Sequence, residues 1–279
     1  MLLLAHAAIP GQIQAATVDH GLRPDAAKEA ELAGRICARL NVPHQTLRVT
    51  VPSGNLQDAA RHVRYAALDS WAADCGLGAL VTAHHADDQA ETLLMRLNRG
   101  SGVAGLAGVR GRSMVPGRTR LLLRPLLSWR RAELARVLDH AGVTTAQDPS
   151  NADERFDRVR IRRELARTDW IDPIALAASA SHLSDADAAL DWAVQREWQE
   201  CVSASENALR YVPSAPRAIR LRVVTRIITR LGGIPRGGGV ARLVDFLEAG
   251  EPGSLAGVVA RNATGTWTFA PEPPRSKPV

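Results

Sequence analysis

Between residues 78 and 99 the spacing of apolar positions changes character. Gly78-Ala79-Leu80-Val81-Thr82-Ala83 is a short apolar run ending in small residues, the pattern of a buried parallel strand. From His84 the apolar positions follow a helical period. Wound as a helix, Ala86, Ala90, Leu93, Leu94 and Leu97 share one side, and His84, Asp87, Asp88, Glu91, Thr92, Met95 and Arg99 share the other. One face is core and the opposite face carries chemistry. The cluster then sits at a strand's carboxyl end, where open α/β sheets hold ligands and helix amides are available to an anion.

The same alternation recurs. Gln12 to Val18 reads as a strand, and Asp19 to Pro24 is a polar turn after it. A helix from Asp25 to Leu40, with Leu32, Ile36 and Leu40 on one face, stops at Asn41-Val42-Pro43. His44 to Val51 alternates polar with apolar, and Asn55 to Cys75 is helical with Arg61 and Arg64 on a shared side. Leu121 to Leu127 runs from strand into turn, and Ser128 reads as the N-cap of a helix ending near Gly142. Strand, turn and helix in this order predict an α/β fold with a doubly wound parallel sheet and right-handed crossovers.

Asp172-Pro173 marks a boundary between a domain of residues 1–172 and a smaller, mainly helical one of 173–270. The second has helices at Ile174 to Cys201, Ala218 to Leu231 and Val240 to Ala249, then short strands at Leu255 to Ala260 and Thr264 to Phe269. A Pro-rich tail, 271–279, is expected to be disordered.

Composition narrows the setting. Net charge is +6, the pI is near 10, and all basic residues but Lys28 and Lys277 are arginine, the better bidentate phosphate partner. The densest basic stretch holds Arg155, Arg158, Arg160, Arg162, Arg163 and Arg167; it is expected to contribute phosphate contacts, a solvated face being the alternative. Cys37, Cys75 and Cys201 are isolated, which speaks against a disulfide framework or CxxC chemistry and for a reducing, cytoplasmic setting. No run is long enough to span a membrane, and apolar Met1 to Ala8 lacks the basic flank of a signal peptide. An acidic first helical turn is ordinarily only dipole compensation. Adjacent histidines on a helix point about 100° apart and no HExxH is present, so no metal site made of protein ligands alone is expected.

Several blocks, in order, resemble the tRNA(Ile)-lysidine synthetases of the PP-loop ATP pyrophosphatase superfamily. They are Asp19-His20-Gly21-Leu22-Arg23-Pro24; Asn55-Leu56-Gln57 with Ala60-Arg61 and Arg64-Tyr65; His84 to Thr92; Arg99-Gly100-Ser101-Gly102; Arg124-Pro125-Leu126-Leu127; Asp148-Pro149-Ser150-Asn151; and Arg158 to Arg162. The resemblance runs from about Val18 to Arg163, and beyond it only general character is shared. It implies a ligase that adenylates the wobble cytidine of a CAU-anticodon tRNA(Ile) with ATP and Mg2+. Free L-lysine then displaces AMP through its ε-amine, whose ordinary pKa of about 10.4 calls for a carboxylate to hold and deprotonate it. By resemblance, Asp88, Glu91 and Arg64 are catalytic, His20, His84 and His85 bind ATP, and Arg99, Arg124, Arg158 and Arg162 meet tRNA or phosphates. The C-terminal domain then binds tRNA, no cofactor is tightly held, and the resemblance allows a homodimer.

Two departures qualify the resemblance. The family usually carries Arg-Asn where this sequence has Arg158-Val159, which removes one amide contact. Members also begin with a strand and a Ser-Gly-Gly-x-Asp-Ser phosphate loop that this sequence does not contain. The expectation is a sheet missing its first strand and a chain inactive as written, Met1 to Leu4 being the helix after that loop. The alternatives are a non-catalytic RNA-binding remnant, or a tRNA 2-thiocytidine enzyme, which shares the His-His-x-Asp-Asp block but needs paired cysteines.

Overall fold

Short apolar or alternating runs form most strands of the N-terminal half, and the 3.6-residue patterns between them form its helices. A computed structural model of the chain describes residues 1–21, 26–52, 56–144, 157–235 and 237–273. Arg23-Pro24, Asn55, Asp148 to Asn151 and Arg155, all singled out in the sequence, lie outside the described residues. The chain divides into two units, Met1–Ser184 and Asp185–Val279.

The first unit runs α1 (Leu2–Ala8), β1 (Ala15–Asp19), α2 (Ala26–Arg39), β2 (His44–Arg48), α3 (Leu56–Asp74), β3 (Ala79–Val81), α4 (Ala86–Leu97), α5 (Val103–Leu106), β4 (Arg112–Met114), β5 (Leu121–Leu123), α6 (Arg131–His140) and α7 (Asp157–Arg167). The long α8 (Pro173–Cys201) follows. β1 and β2 pair in parallel, Ala15 opposite His44. β3 and β5 also pair in parallel, Ala79 opposite Leu121, and β4 adds antiparallel to β5. Strand β4 has no strand-like pattern of its own. The turn closed by the Val115 N–H on the Arg120 carbonyl (2.9 Å) lays it against the open edge of β5. Tyr65, Trp71, Ala72, Leu80, Val115 and Leu122 form the core cluster behind the strands.

Ser128 is not the N-cap of α6. Its neighbours are tied into a turn by the Trp129 N–H on the Leu126 carbonyl (3.0 Å), and the Trp129 carbonyl accepts from the Ala86 N–H (2.9 Å). The helix therefore starts later, with Arg130 at the cap and its N–H donating to Glu133 at 2.7 Å.

The second unit adds β6 (Val202–Ser205), β7 (Ala208–Tyr211), α9 (Arg217–Arg230), α10 (Gly237–Glu248), β8 (Gly253–Leu255), β9 (Val258–Ala263) and β10 (Thr266–Pro271). Its strands make one antiparallel sheet in the order β6-β7-β10-β9-β8. Tyr211, Val224, Ile227, Val244, Leu247 and Phe269 are fully buried between sheet and helices. The hydrophobic pattern indicated only the last hairpin of this sheet, because Val202-Ser203-Ala204-Ser205 is a short edge strand that puts only Val202 against the core. Pro271, where the sequence pattern begins its tail, pairs opposite Val258 in β10. No helix among the described residues is long and apolar enough to cross a membrane.

Candidate functional site

The site is built on the start of α4. His85 is extended, and its ring Nδ1 accepts from the Asp88 N–H at 3.4 Å while its own N–H donates to Asp88 Oδ2 at 3.0 Å. This reciprocal cap satisfies two amides that the first turn would leave open. It also corrects the helical wheel: the helix spans Ala86–Leu97, so His84 precedes it and Arg99 follows it. The two histidines are not neighbours on a helix. One closes the helix end, and the other lies in the connection from β3, with Nδ1 2.9 Å from Thr82 Oγ1.

Ala86, Ala90 and Leu93 are buried as the pattern predicts. Glu91 was expected on the open face, yet it is only 2% exposed. A carboxylate can be buried only with partners. Two arginines one turn apart on α7 supply them. Arg158 Nε reaches Glu91 Oε2 and its Nη2 reaches Asp88 Oδ1, both at 2.6 Å, and Arg162 Nε reaches Glu91 Oε1 at 2.6 Å. The hydrogen bond to Glu91 raises the Arg162 guanidinium above its ordinary value. Asp87 points elsewhere, accepting from the Arg131 N–H at 2.7 Å and Arg130 Nε at 3.3 Å, which ties α4 to the start of α6.

Asp88 opens onto a pocket of about 300 Å³ whose lining includes Arg61, Arg64, Thr82, His84 and Arg158. Arg61 stacks over the Tyr65 ring at 5.1 Å, and Arg64 Nε lies 3.4 Å from His20 Nε2. Three guanidiniums around one carboxylate suit phosphate oxygens, which arginine meets bidentately. Burial pushes the His84 imidazole down to about 4, with Arg124, Arg158 and Arg61 adding to the shift and Asp88 opposing it. His84 is therefore neutral at pH 7. His20 is likewise lowered by burial and by Arg64, against Asp19.

The His84 shift has a sign. Below about pH 6.5 the unfolded chain binds a proton that the folded chain refuses until about pH 4, so stability falls as pH drops through that window. Allowing for partial exposure, roughly 1 kcal/mol is expected to be lost between pH 7 and pH 5. Urea unfolding at both pH values should show this loss in the parent chain and a smaller one in His84→Gln. Equal losses in the two proteins would mean that His84 does not carry the effect.

Of the residues singled out in the sequence, Asp88, Arg64, His84 and Arg158 line this pocket, and Glu91 and Arg162 join it through the ion pairs. His85 is the helix cap, and His20 approaches through Arg64. Arg99 is exposed and pairs with Asp157 at 3.0 Å. Arg124 does not line the pocket. It is buried, donating to the Arg110 carbonyl at 2.7 Å and Ser113 Oγ at 3.0 Å. Arg61 and Thr82 were absent from the sequence-derived site. The three-residue spacing of Arg61 and Arg64 was the signal available for the first. Among the described residues no three His, Cys, Asp or Glu side chains are grouped to hold a metal ion.

Residues 1–168 match the PP-loop domain family. A tRNA(Ile)-lysidine synthase of Novosphingobium aromaticivorans is 47% identical over 98% of this chain and 85% of that protein. One from Zymomonas mobilis is 38% identical over 100% of this chain and 86% of its own length. Among solved structures, the U34-tRNA thiolase NcsA from Methanococcus maripaludis with its [4Fe-4S] cluster superposes with a TM-score of 0.53 at 14% identity, covering 65% of each chain. That likeness is one of fold.

Proposed function

The chain belongs to the tRNA(Ile)-lysidine synthase family and carries its PP-loop domain, and from that premise we propose how its site forms lysidine. ATP adenylates the wobble cytidine of a CAU-anticodon tRNA(Ile) with release of pyrophosphate, and the ε-amine of free lysine then displaces AMP. Arg61, Arg64 and Arg158 face the phosphates, neutral His84 offers a hydrogen bond without adding charge, and Mg2+ accompanying ATP would neutralise further phosphate charge. Asp88 and Glu91 hold the lysine ammonium and take its proton, and Asp87 keeps α4 against α6. The observation that carries this reading is the carboxylate pair Asp88 and Glu91 beside an arginine-lined pocket at the carboxyl end of β3.

In this reading Arg158 and Arg162 compete with the lysine ammonium for the same oxygens, so the amine binds as α7 gives up part of its hold. Thiolation is disfavoured, since Cys37 is buried with its thiol raised by that burial and no CxxC exists. The test is incubation of the protein with ATP, labelled lysine and a CAU-anticodon tRNA(Ile) transcript. Lysine mass on the cytidine is expected when the Ser-Gly-Gly-x-Asp-Ser loop that this sequence does not contain is supplied upstream of Met1, and its absence with pyrophosphate still released would limit the activity to adenylation.

Arg158 and Arg162 keep 43% and 29% of their side chains exposed, within reach of a tRNA phosphate that approaches from solvent. Replacing both by Gln is expected to reduce the slope of log affinity against log salt by about 1–2. Filter binding across a salt series measures this, and an unchanged slope would confine the two arginines to the carboxylates.

A further inference from the structure

On the other flank of α4 lies a second cavity, of about 470 Å³, that shares no lining residue with the pocket at Asp88. It belongs to the first unit and is walled by Gln89, the segment from Ala107 to Gly111, the segment from Arg124 to Ser128, and the first turns of α8.

Its walls are held in place. Gln89 Nε2 donates to the Val109 carbonyl and its Oε1 accepts from the Val109 N–H, both at 2.7 Å, an amide clip that fixes the 107–111 segment. Gly108 has φ +64°, and a Cβ there would come within 2.5 Å of Gln89 Oε1, so only glycine lets the segment approach the clip this closely. Arg110 Nη1 donates to Ser184 Oγ at 3.3 Å, joining that segment to α8.

Arg124 gives the cavity its chemistry. It is 94% buried and lines the cavity; its Nη1 is taken by the Arg110 carbonyl and Ser113 Oγ, and its Nε has no hydrogen-bond partner. A buried guanidinium with an open N–H is a group that native proteins ordinarily satisfy. Among the described residues no carboxylate lines the cavity, while Arg110, Ser128, Ser181 and His182 do, beside apolar Leu127 and Ile174. The field is cationic, the hydroxyls are donors, and part of the wall is apolar. The volume falls in the range of metabolite sites.

We infer that this cavity binds a small oxyanion with a short apolar body, a carboxylate or a phosphate ester, whose oxygens face the Arg124 guanidinium where it lines the cavity while its body packs on Leu127 and Ile174. The site stands apart from the lysidine chemistry and does not rest on it.

The test is isothermal titration of the full chain at constant ionic strength with butyrate, butyl phosphate and inorganic phosphate, chloride serving as the control anion. Saturable binding is expected for butyrate or butyl phosphate, at least tenfold tighter than chloride, with inorganic phosphate weaker for want of the body. Ser181→Trp places an indole on an exposed position of the wall, away from the core, and is expected to weaken binding at least tenfold. Arg124→Lys should weaken it similarly, and circular dichroism melts show whether that variant still folds. Arg64→Ala should leave it unchanged. Binding lost in Arg64→Ala and kept in Ser181→Trp would move the ligand to the Asp88 pocket and overturn the inference. Absence of saturable binding by all three probes would overturn it too.

Discussion

In a chain extended upstream to carry the phosphate loop, Glu91→Gln is expected to lower the rate of lysidine formation by about 10²–10⁴-fold, the contribution of a positioned acid or base. Asp88→Asn should fall in the same range, because both carboxylates lie on one arginine, Arg158, and are one helical turn apart. Glu91→Gln also disturbs the fold. The parent carboxylate is buried against two guanidiniums, and removing its charge leaves Arg158 and Arg162 without their strongest partner. Breaking a fully buried pair costs about 3–5 kcal/mol; since both arginines remain partly open to water, roughly 1–3 kcal/mol is expected here. Asp88→Asn keeps Glu91 paired and should unfold close to the parent. Single-turnover assays separate the steps: pyrophosphate release, which accompanies adenylation, should persist in both variants while lysine transfer and the AMP release that accompanies it fail, and thermal melts report the stability difference. Parent-like lysine transfer in both variants would remove the carboxylates from the mechanism.

The largest effect on stability is expected in the second unit. Glu197 is buried on α8 and accepts four hydrogen bonds, from the Tyr211 hydroxyl, the Ser214 N–H and Oγ at 2.9 Å each, and the Ala215 N–H at 3.1 Å. Burial alone would raise its carboxyl, but the Ser214 and Ala215 amides, with the Ser214 and Tyr211 hydroxyls, hold it below the ordinary range. Burial and the same Glu197 bond push the Tyr211 phenol up. Glu197→Ala strands all four donors. At about 1–3 kcal/mol for each unsatisfied buried group, partly relieved by water, a loss of roughly 3–5 kcal/mol is expected. Glu197→Gln keeps an acceptor oxygen and should recover part of it. Because the folded carboxyl is depressed, its contribution is present above the unfolded pKa and disappears as pH falls through the folded one. Guanidinium unfolding at pH 7 and pH 3 should therefore show the parent approaching the variant at the lower pH. A constant gap would refer the effect to lost packing.

The α4 segment shows how far periodicity reaches. A 3.6-residue apolar stripe located Ala86, Ala90 and Leu93 in the core, and they are buried. The same wheel put Glu91 on the face opposite the core, the one that carries chemistry, because periodicity separates charged from apolar positions and no more. It contains no term for Arg158 and Arg162 arriving from 67 and 71 residues away. Ser128 failed for the opposite reason, a good local capping residue overridden by the Trp129 and Ala86 hydrogen bond. In the second unit the apolar stripes of α9 and α10 were legible, whereas β6 and β7 carry four residues each and borrow their register from a sheet formed mostly by later strands.

The sequence by itself determined the α/β alternation, the helix that carries Asp88 and Glu91, and the ordered motifs that resemble lysidine synthetases, because each depends on near neighbours or on the order of short blocks. Only the tertiary structure decided that Glu91 is buried and doubly paired, that Asp87 serves α6, that His85 is a cap, and that Arg124 turns into a separate cavity. Those outcomes depend on which long side chain reaches which distant acceptor. The free energy of such a choice is set by desolvation and pairing at contact distance, which no pattern along the chain encodes.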